Sequence, residues 1–166
     1  MALAANLMFH RGLCQKILII DLDVHQGNGT AKLFQNNPSV FTFSMYGGSN
    51  YPFHKEKSDL DIELANGTSS ETYLTLLKEH LPKVLDLFEP EFAFYLAGID
   101  ILDTDKYGKL QVSLAACKKR DAFEFNSLKA RQIPVTVALG GGYSPDIKVI
   151  VEAHCNTFRL AVDLFD

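Results

Sequence analysis

The stretch ILIIDLDVHQGNGT at residues 17–30 places two carboxylates and an imidazole directly after a buried apolar run. Residues two apart lie on the same face of an extended chain, so Asp21, Asp23 and His25 are predicted to point the same way. Carboxylate oxygens and imidazole nitrogens bind metal ions, and Asp100, after a later apolar run, is a candidate third ligand. Two carboxylates and one imidazole would leave a coordination position open, as in catalytic zinc sites.

A simpler interpretation also fits the two aspartates. Asp21 and Asp23 could cap the following helix or accept hydrogen bonds from backbone amides at the end of the strand. This alternative stays open for Asp21, whereas the combination of Asp23, His25 and Asp100 favours a metal site.

Tyr143 follows three glycines at the end of another apolar run. A phenol held there could donate a hydrogen bond to a developing oxyanion, although a tyrosine that packs over a turn would give the same pattern. The chain contains no GxSxG motif, and no cysteine lies beside a histidine in the sequence. The sequence therefore offers no serine or cysteine nucleophile.

Apolar β-rich runs alternate with segments of helical spacing, which predicts an α/β fold with a mainly parallel sheet covered by helices on both faces. Strands are predicted at 16–21, 40–46, 61–64, 92–98 and 134–140. Helices are predicted at 1–13, 29–36, 69–89, 113–131 and 146–164. Pro82 is expected to kink or divide the third helix. Because ligands bind beyond the carboxyl ends of parallel strands, the polar groups that follow these strands are expected to converge.

The composition fits one compact domain of 166 residues, 47% hydrophobic and 22% charged, with a net charge of −4. The chain has no block of like charge, so nothing in the sequence indicates nucleic-acid binding. No apolar run is long enough to span a bilayer. Three dispersed cysteines without a CxxC motif argue against disulfides and cysteine-bound zinc, and fit a cytoplasmic location. The mixed-charge runs KEKSD at 55–59 and KKRD at 118–121 are expected on solvated faces.

Three motifs together resemble the histone deacetylase family of zinc amidohydrolases, most closely its bacterial and class IV-like members. They are IIDLDVHQGNGT at 19–30, YLAGIDILDTDKYGKL at 95–110 and ALGGGYS at 138–144. The resemblance implies a three-layer α/β/α fold shared with arginase-like enzymes, and removal of acetyl or other acyl groups from lysine side chains or small acetylated amines. The arginase-like enzymes carry an aspartate where Gly27 lies here, so we expect a single metal ion.

The resemblance also implies roles for individual residues. Asp23, His25 and Asp100 are expected to bind zinc, with ferrous iron as an alternative metal. Tyr143 is expected to polarise the acyl carbonyl, and Asp21 to act as an acid below the metal.

Two further sites follow from the same resemblance. A structural potassium ion is expected on the backbone carbonyls of Asp21, Asp23 and His25, together with Ser44 and Met45. The tunnel for the acyl-lysine is expected to be lined by Tyr51, Gly141 and Gly142, with the long irregular segment 47–59 forming part of its wall.

The family resemblance also implies a general base made of two neighbouring histidines upstream of the first motif. The histidines of this chain are His10, His25, His54, His80 and His154, and none neighbours another. We therefore expect residues 1–166 to be the C-terminal part of one catalytic domain, without its first strands. Two functions stay open: a metal-dependent deacylase, and a remnant that binds metal or a partner without turnover. Nothing in the sequence predicts the oligomeric state.

Overall fold

The computed structural model describes residues 1–165, and its strands and helices alternate along the chain except that β3 follows β2 without a helix between them. The strands are β1 Ile17–Asp21, β2 Val40–Gly47, β3 Leu60–Leu64, β4 Phe92–Gly98 and β5 Val135–Gly140. The helices are α1 Ala2–His10, α2 Asn28–Phe34, α3 Ser70–Phe88, α4 Leu114–Lys129 and α5 Ile147–Phe165. Each predicted element is present, with ends that shift by a few residues. Within the described part of the chain, none of the helices combines the length and apolarity that a membrane crossing requires.

The five strands form one parallel sheet in the order β3-β2-β1-β4-β5. Strand β1 is central, and its last residue, Asp21, is in register with Ser44 of β2 and Leu96 of β4. The residues that follow β1 are therefore flanked by the carboxyl ends of strands on both sides. This strand order was not predicted from the sequence.

Both faces of the sheet are covered, which confirms the predicted α/β/α layers. Leu18 and Ile20 of β1 pack on the side of α3, α4 and α5, whereas Ile17 and Ile19 pack on the side of α1 and α2. This alternation explains why the strand is an unbroken apolar run, since each successive side chain enters a different core. Burial of each of these side chains contributes about 1.5–3 kcal/mol to folding.

Helix α3 runs unbroken through Pro82, so the predicted division at this residue does not occur. Ser69 caps the helix, because its Oγ accepts a hydrogen bond from the Thr72 amide at 3.3 Å. Proline removes the amide that would bond to the Lys78 carbonyl, but Lys78 is exposed and water can take the place of that donor. Buried side chains on both sides of Pro82, including Leu85, hold the two halves against the core.

The charge run at 118–121 lies on α4, and only half of it is solvated. Lys118 and Lys119 are exposed as predicted, whereas Arg120 and Asp121 have no exposed surface. The prediction of a solvated face is therefore wrong for Arg120 and Asp121, which point into the core between α4 and the sheet.

Candidate metal centre

The three residues predicted as metal ligands converge at the carboxyl ends of β1 and β4. The Nδ1 atom of His25 lies 2.9 Å from Oδ1 of Asp23 and 3.2 Å from Oδ2 of Asp100. One ligand atom from each residue lies within 4.8 Å of the others, and this is the one such group found among residues 1–165. Parallel neighbouring strands end at the same sheet edge, which is why residues so distant in sequence meet here.

Backbone amides hold the acidic side chains in place. Oδ1 of Asp23 accepts a hydrogen bond from the His25 amide at 2.8 Å, and Oδ1 of Asp100 accepts one from the Val24 amide at 3.0 Å. Asp21 accepts from the Asp23 amide at 3.2 Å, which is the role that the simpler interpretation gave it. Asp100 is only 1% exposed, whereas the His25 side chain keeps 31% of its surface, so the cluster opens on the histidine side.

The electrostatics of the cluster favour a positive charge at its centre. Hydrogen bonds to Asp100 and then to Asp23 raise the pKa of His25 to about 10. Burial, and next the charge of Asp23, raises the pKa of Asp21 to about 8. A metal ion and a proton compete for the same lone pair of His25 Nδ1, so metal binding would release this proton.

The backbone approaches the acids closely at two glycines. A Cβ atom at Gly98 would lie 2.5 Å from the Cα of Asp23, and one at Gly27 would lie 2.2 Å from Oδ2 of Asp21. A side chain at position 27 would therefore have to displace the carboxylate of Asp21. Two carboxylates and one imidazole suit Zn²⁺ and Fe²⁺, so the residues present fit the metal that the motifs imply.

Tyr143 follows β5 at the same sheet edge and is half-exposed. Its amide donates a hydrogen bond to Oδ2 of Asp105 at 2.7 Å, and its ring lies edge-on to Tyr107 with centroids 5.2 Å apart. Oδ1 of Asp105 also accepts bonds from the amides of Tyr107 and Gly108, both at 2.8 Å. No role was predicted for Asp105 from the sequence, although an aspartate followed by glycine three residues later is a turn signal.

Tyr51, predicted in the tunnel wall, lies in the loop after β2 and is 65% exposed, with its ring edge-on to Phe53. This loop is tied to the first motif by Gln26. The Gln26 Nε2 atom donates to the Glu56 carbonyl at 2.7 Å, and its Oε1 accepts from the Glu56 amide at 2.9 Å. Gln26 was not predicted, because a lone glutamine after the histidine carries no spacing signal.

The predicted potassium ligands Ser44 and Met45 are buried in the second half of β2. Among the described residues, Ser44 Oγ has no hydrogen-bond partner. A cavity of about 10 Å³ is bounded by Asp21, Ser44 and Ser58, among other residues. Buried oxygens are normally satisfied, so this arrangement suits a bound water molecule or a monovalent cation.

Comparisons with known proteins extend over nearly the whole chain. The family model described as histone deacetylase domain matches residues 1–158. An uncharacterized protein of Picosynechococcus sp. is 41% identical over 99% of this chain and 55% of its own length. Histone deacetylase 2 of Arabidopsis thaliana is 34% identical over 95% of this chain and 42% of its own length. The chain thus spans about half the length of the curated relatives that it matches.

A solved structure shows the same fold. The acetylpolyamine aminohydrolase of Burkholderia pseudomallei superimposes with a TM-score of 0.82 at 19% sequence identity, over 98% of this chain and 49% of that one. The likeness shows that the two chains share the α/β architecture.

Proposed function

Since the chain belongs to the histone deacetylase family, we propose that it carries the metal centre of an amidohydrolase that removes acetyl or other acyl groups from amines. The substrates would be acetylated lysine side chains of proteins or related small acetylated amines. The convergence of Asp23, His25 and Asp100 within 4.8 Å carries this proposal. A structural neighbour that is named an acetylpolyamine aminohydrolase supports the wider substrate class.

In this proposal Asp23, His25 and Asp100 hold one Zn²⁺ ion, with Fe²⁺ as the alternative. The metal held by these three residues would supply an electrophilic centre that lowers the pKa of water and polarises the amide carbonyl. Asp21 acts behind the ligands, because its Oδ1 atom fixes the amide of Asp23 at 3.2 Å.

Tyr143 is proposed to donate a hydrogen bond to the carbonyl oxygen as negative charge develops on it. Removal of such a donor typically costs about 10²–10³ in rate. Its half-exposed side chain and its position after β5 support the assignment, and Asp105 anchors its backbone. Tyr51 and the glycines Gly141 and Gly142 are proposed to line the path of the acylated side chain.

A structural potassium ion is proposed at the carbonyls of Asp21, Asp23 and His25, with Ser44 and Met45. The buried, unpartnered Ser44 Oγ within the described chain and the small cavity beside it support this site. A cytoplasmic location is also proposed, and the three free cysteines are consistent with a reducing compartment.

The metal site is tested by zinc binding. We expect the wild-type chain to retain one zinc per molecule after gel filtration, and Asp23→Ala, Asp100→Ala and the double variant to lose it, because two ligands cannot replace three. Zinc is measured by mass spectrometry, and folding by circular dichroism. Asp103→Ala is the matched control, since Asp103 is an exposed acid in the same loop as Asp100. Stoichiometric zinc in the double variant would rule out this site.

A second function, metal binding without turnover, is favoured by one observation. The acid–imidazole cluster found in residues 1–165 contains one histidine, His25, and the five histidines of the sequence include no neighbouring pair. In this second function Asp23, His25 and Asp100 would bind a metal ion, but residues 1–166 would not supply the paired histidines that transfer protons during hydrolysis.

A further inference from the structure

Arg120 of α4 is fully buried beneath the two strand ends that carry the proposed metal ligands. Its Nη1 atom donates a hydrogen bond to the Gly98 carbonyl at 2.5 Å and to the Leu22 carbonyl at 3.3 Å. Leu22 directly precedes Asp23, and Gly98 lies two residues before Asp100. One guanidinium nitrogen thus joins the backbone of β1 to the backbone of β4 at the edge of the cluster.

The two strands need such a link at this point. Their backbone pairing extends to the bond from the Leu22 amide to the Leu96 carbonyl at 3.2 Å. Beyond it, the amides of Asp23 and Val24 donate to side-chain carboxylates instead of to the neighbouring strand. Arg120 supplies a bridge between β1 and β4 where the regular ladder gives way to the site.

The two peptide units whose carbonyls accept hydrogen bonds from Arg120 also donate hydrogen bonds through their amides. The Leu22–Asp23 peptide donates through the Asp23 amide to Asp21, and the Gly98–Ile99 peptide donates through the Ile99 amide to the Gly140 carbonyl at 2.9 Å. Arg120 completes the restraint by binding the oxygen end of each unit. Rotation of either peptide would move a proposed ligand, because Asp23 belongs to the first unit and Asp100 is bonded to Ile99 of the second.

Asp121 holds the guanidinium in this orientation. Its Oδ1 atom accepts hydrogen bonds from Arg120 Nε at 2.8 Å and from Tyr95 OH at 2.5 Å, and its Oδ2 accepts one from Thr157 Oγ1 at 2.6 Å. Asp121 is itself fully buried. The charged pair therefore connects α4 and α5 to the floor of the site, and a buried charge pair is costly to break.

We propose that Arg120 is a positioning residue of the metal centre, which fixes the separation between the strand ends that carry Asp23 and Asp100. The inference rests on the metal site proposed above. It goes further, because it makes the metal affinity depend on a residue of α4 that forms no hydrogen bond to the side chains of the proposed ligands.

The test compares Arg120→Met, Arg120→Lys and the control Phe125→Leu in the full chain, titrated with Co²⁺ and followed by its visible absorption. We expect Arg120→Met to weaken Co²⁺ binding about 10–100-fold and to shift the absorption bands, as losses of outer-shell partners of metal ligands do. Arg120→Lys keeps the charge but cannot reach both carbonyls, so its loss should be smaller. Phe125 is equally buried on α4, but its side chain has no polar atom that could bridge the two strand ends. The Co²⁺ affinity of Phe125→Leu should therefore stay within about threefold of the wild-type value.

A second measurement does not depend on metal. In the metal-free proteins, the amides of Asp23 and Ile99 should exchange hydrogen about tenfold faster in the Arg120 variants, but not in Phe125→Leu. If Arg120→Met fails to fold, Arg120→Lys supplies both readouts. Unchanged Co²⁺ affinity and unchanged exchange at Asp23 and Ile99 would overturn the inference. If the wild-type chain binds no Co²⁺, the metal site is wrong, and the exchange data alone decide whether Arg120 positions the strand ends.

Discussion

Gly141 leaves almost no free space around Asp100, one of the proposed metal ligands. A Cβ atom at Gly141 would lie 2.5 Å from Cγ of Asp100 and 2.7 Å from its Oδ2, the oxygen that faces His25. The backbone of Gly141 also has φ +69°, which disfavours any other residue. The position therefore combines a conformational requirement with a steric one.

We predict that Gly141→Ala lowers zinc affinity at least about tenfold, because the new methyl group must displace the Asp100 carboxylate. The matched control is Gly67→Ala, since Gly67 has φ +74° and a Cβ atom added there would meet nothing within 4 Å. Both variants should lose about 1 kcal/mol of folding free energy from backbone strain. Zinc affinity is measured by competition with a chromogenic chelator. Equal zinc affinities for the two variants would contradict the steric account.

At the scale of elements, α4 carries a second buried acid besides Asp121. Glu124 has no exposed surface, and neither of its carboxylate oxygens has a hydrogen-bond partner in the described part of the chain. Burial, and next the charge of Asp121, raises the pKa of Glu124 well above its ordinary value. The folded protein therefore keeps a proton on Glu124 at pH values where the unfolded chain has released it.

The consequence is a pH-dependent cost of folding. Because the folded pKa of Glu124 lies above the unfolded one, folding takes up a proton, and this becomes less favourable as the pH rises above about 4.3. We predict that Glu124→Gln stabilises the protein relative to wild type by an amount that grows from pH 5 to pH 8. The slope is at most about 1.4 kcal/mol per pH unit.

Urea unfolding at several pH values measures this difference. Glu79→Gln on α3 is the control, because Glu79 is exposed and its hydrogen bond to Lys83 lowers its pKa, so it stays ionised throughout the range. Its effect on stability should not change between pH 5 and pH 8. A pH-independent difference for Glu124→Gln would show that Glu124 is ionised in the folded protein.

At the scale of the whole molecule, hydrolysis of an acylated amine needs a general base as well as the metal centre. The resemblance implies a paired-histidine base, and the sequence has no two neighbouring histidines. We predict that zinc-loaded residues 1–166 hydrolyse an acetyl-lysine peptide about 10²–10⁴-fold more slowly than a histone deacetylase domain that has the pair, because proton transfer lacks its base.

The rate is measured as single-turnover hydrolysis of a fluorogenic acetyl-lysine peptide. The Tyr143→Phe variant is measured in the same way and gives the rate that does not depend on Tyr143. Binding of the metal should be the same in both proteins, since Tyr143 is not among the proposed ligands. Robust turnover in the wild-type chain that disappears in Tyr143→Phe would show that this chain supplies its own base.

Local patterns predicted much of this structure because they act over a few residues. Alternating apolar side chains define buried strands, and the two-residue spacing of Asp23 and His25 places them on one face whatever surrounds them. The elements, the α/β class and the shared face of Asp23 and His25 therefore follow from local patterns, and Asp100 was predicted from its place after another strand.

Only the tertiary structure decided how the elements meet. The strand order β3-β2-β1-β4-β5 brings Asp100 beside His25, and the rotation of α4 buries Arg120 and Asp121 within a run whose charges predicted a solvated surface. It also placed Gln26 against the loop that carries Tyr51. Packing between residues far apart in the chain sets which strands pair and which face of a helix is buried. A pattern of a few neighbouring residues does not determine that packing.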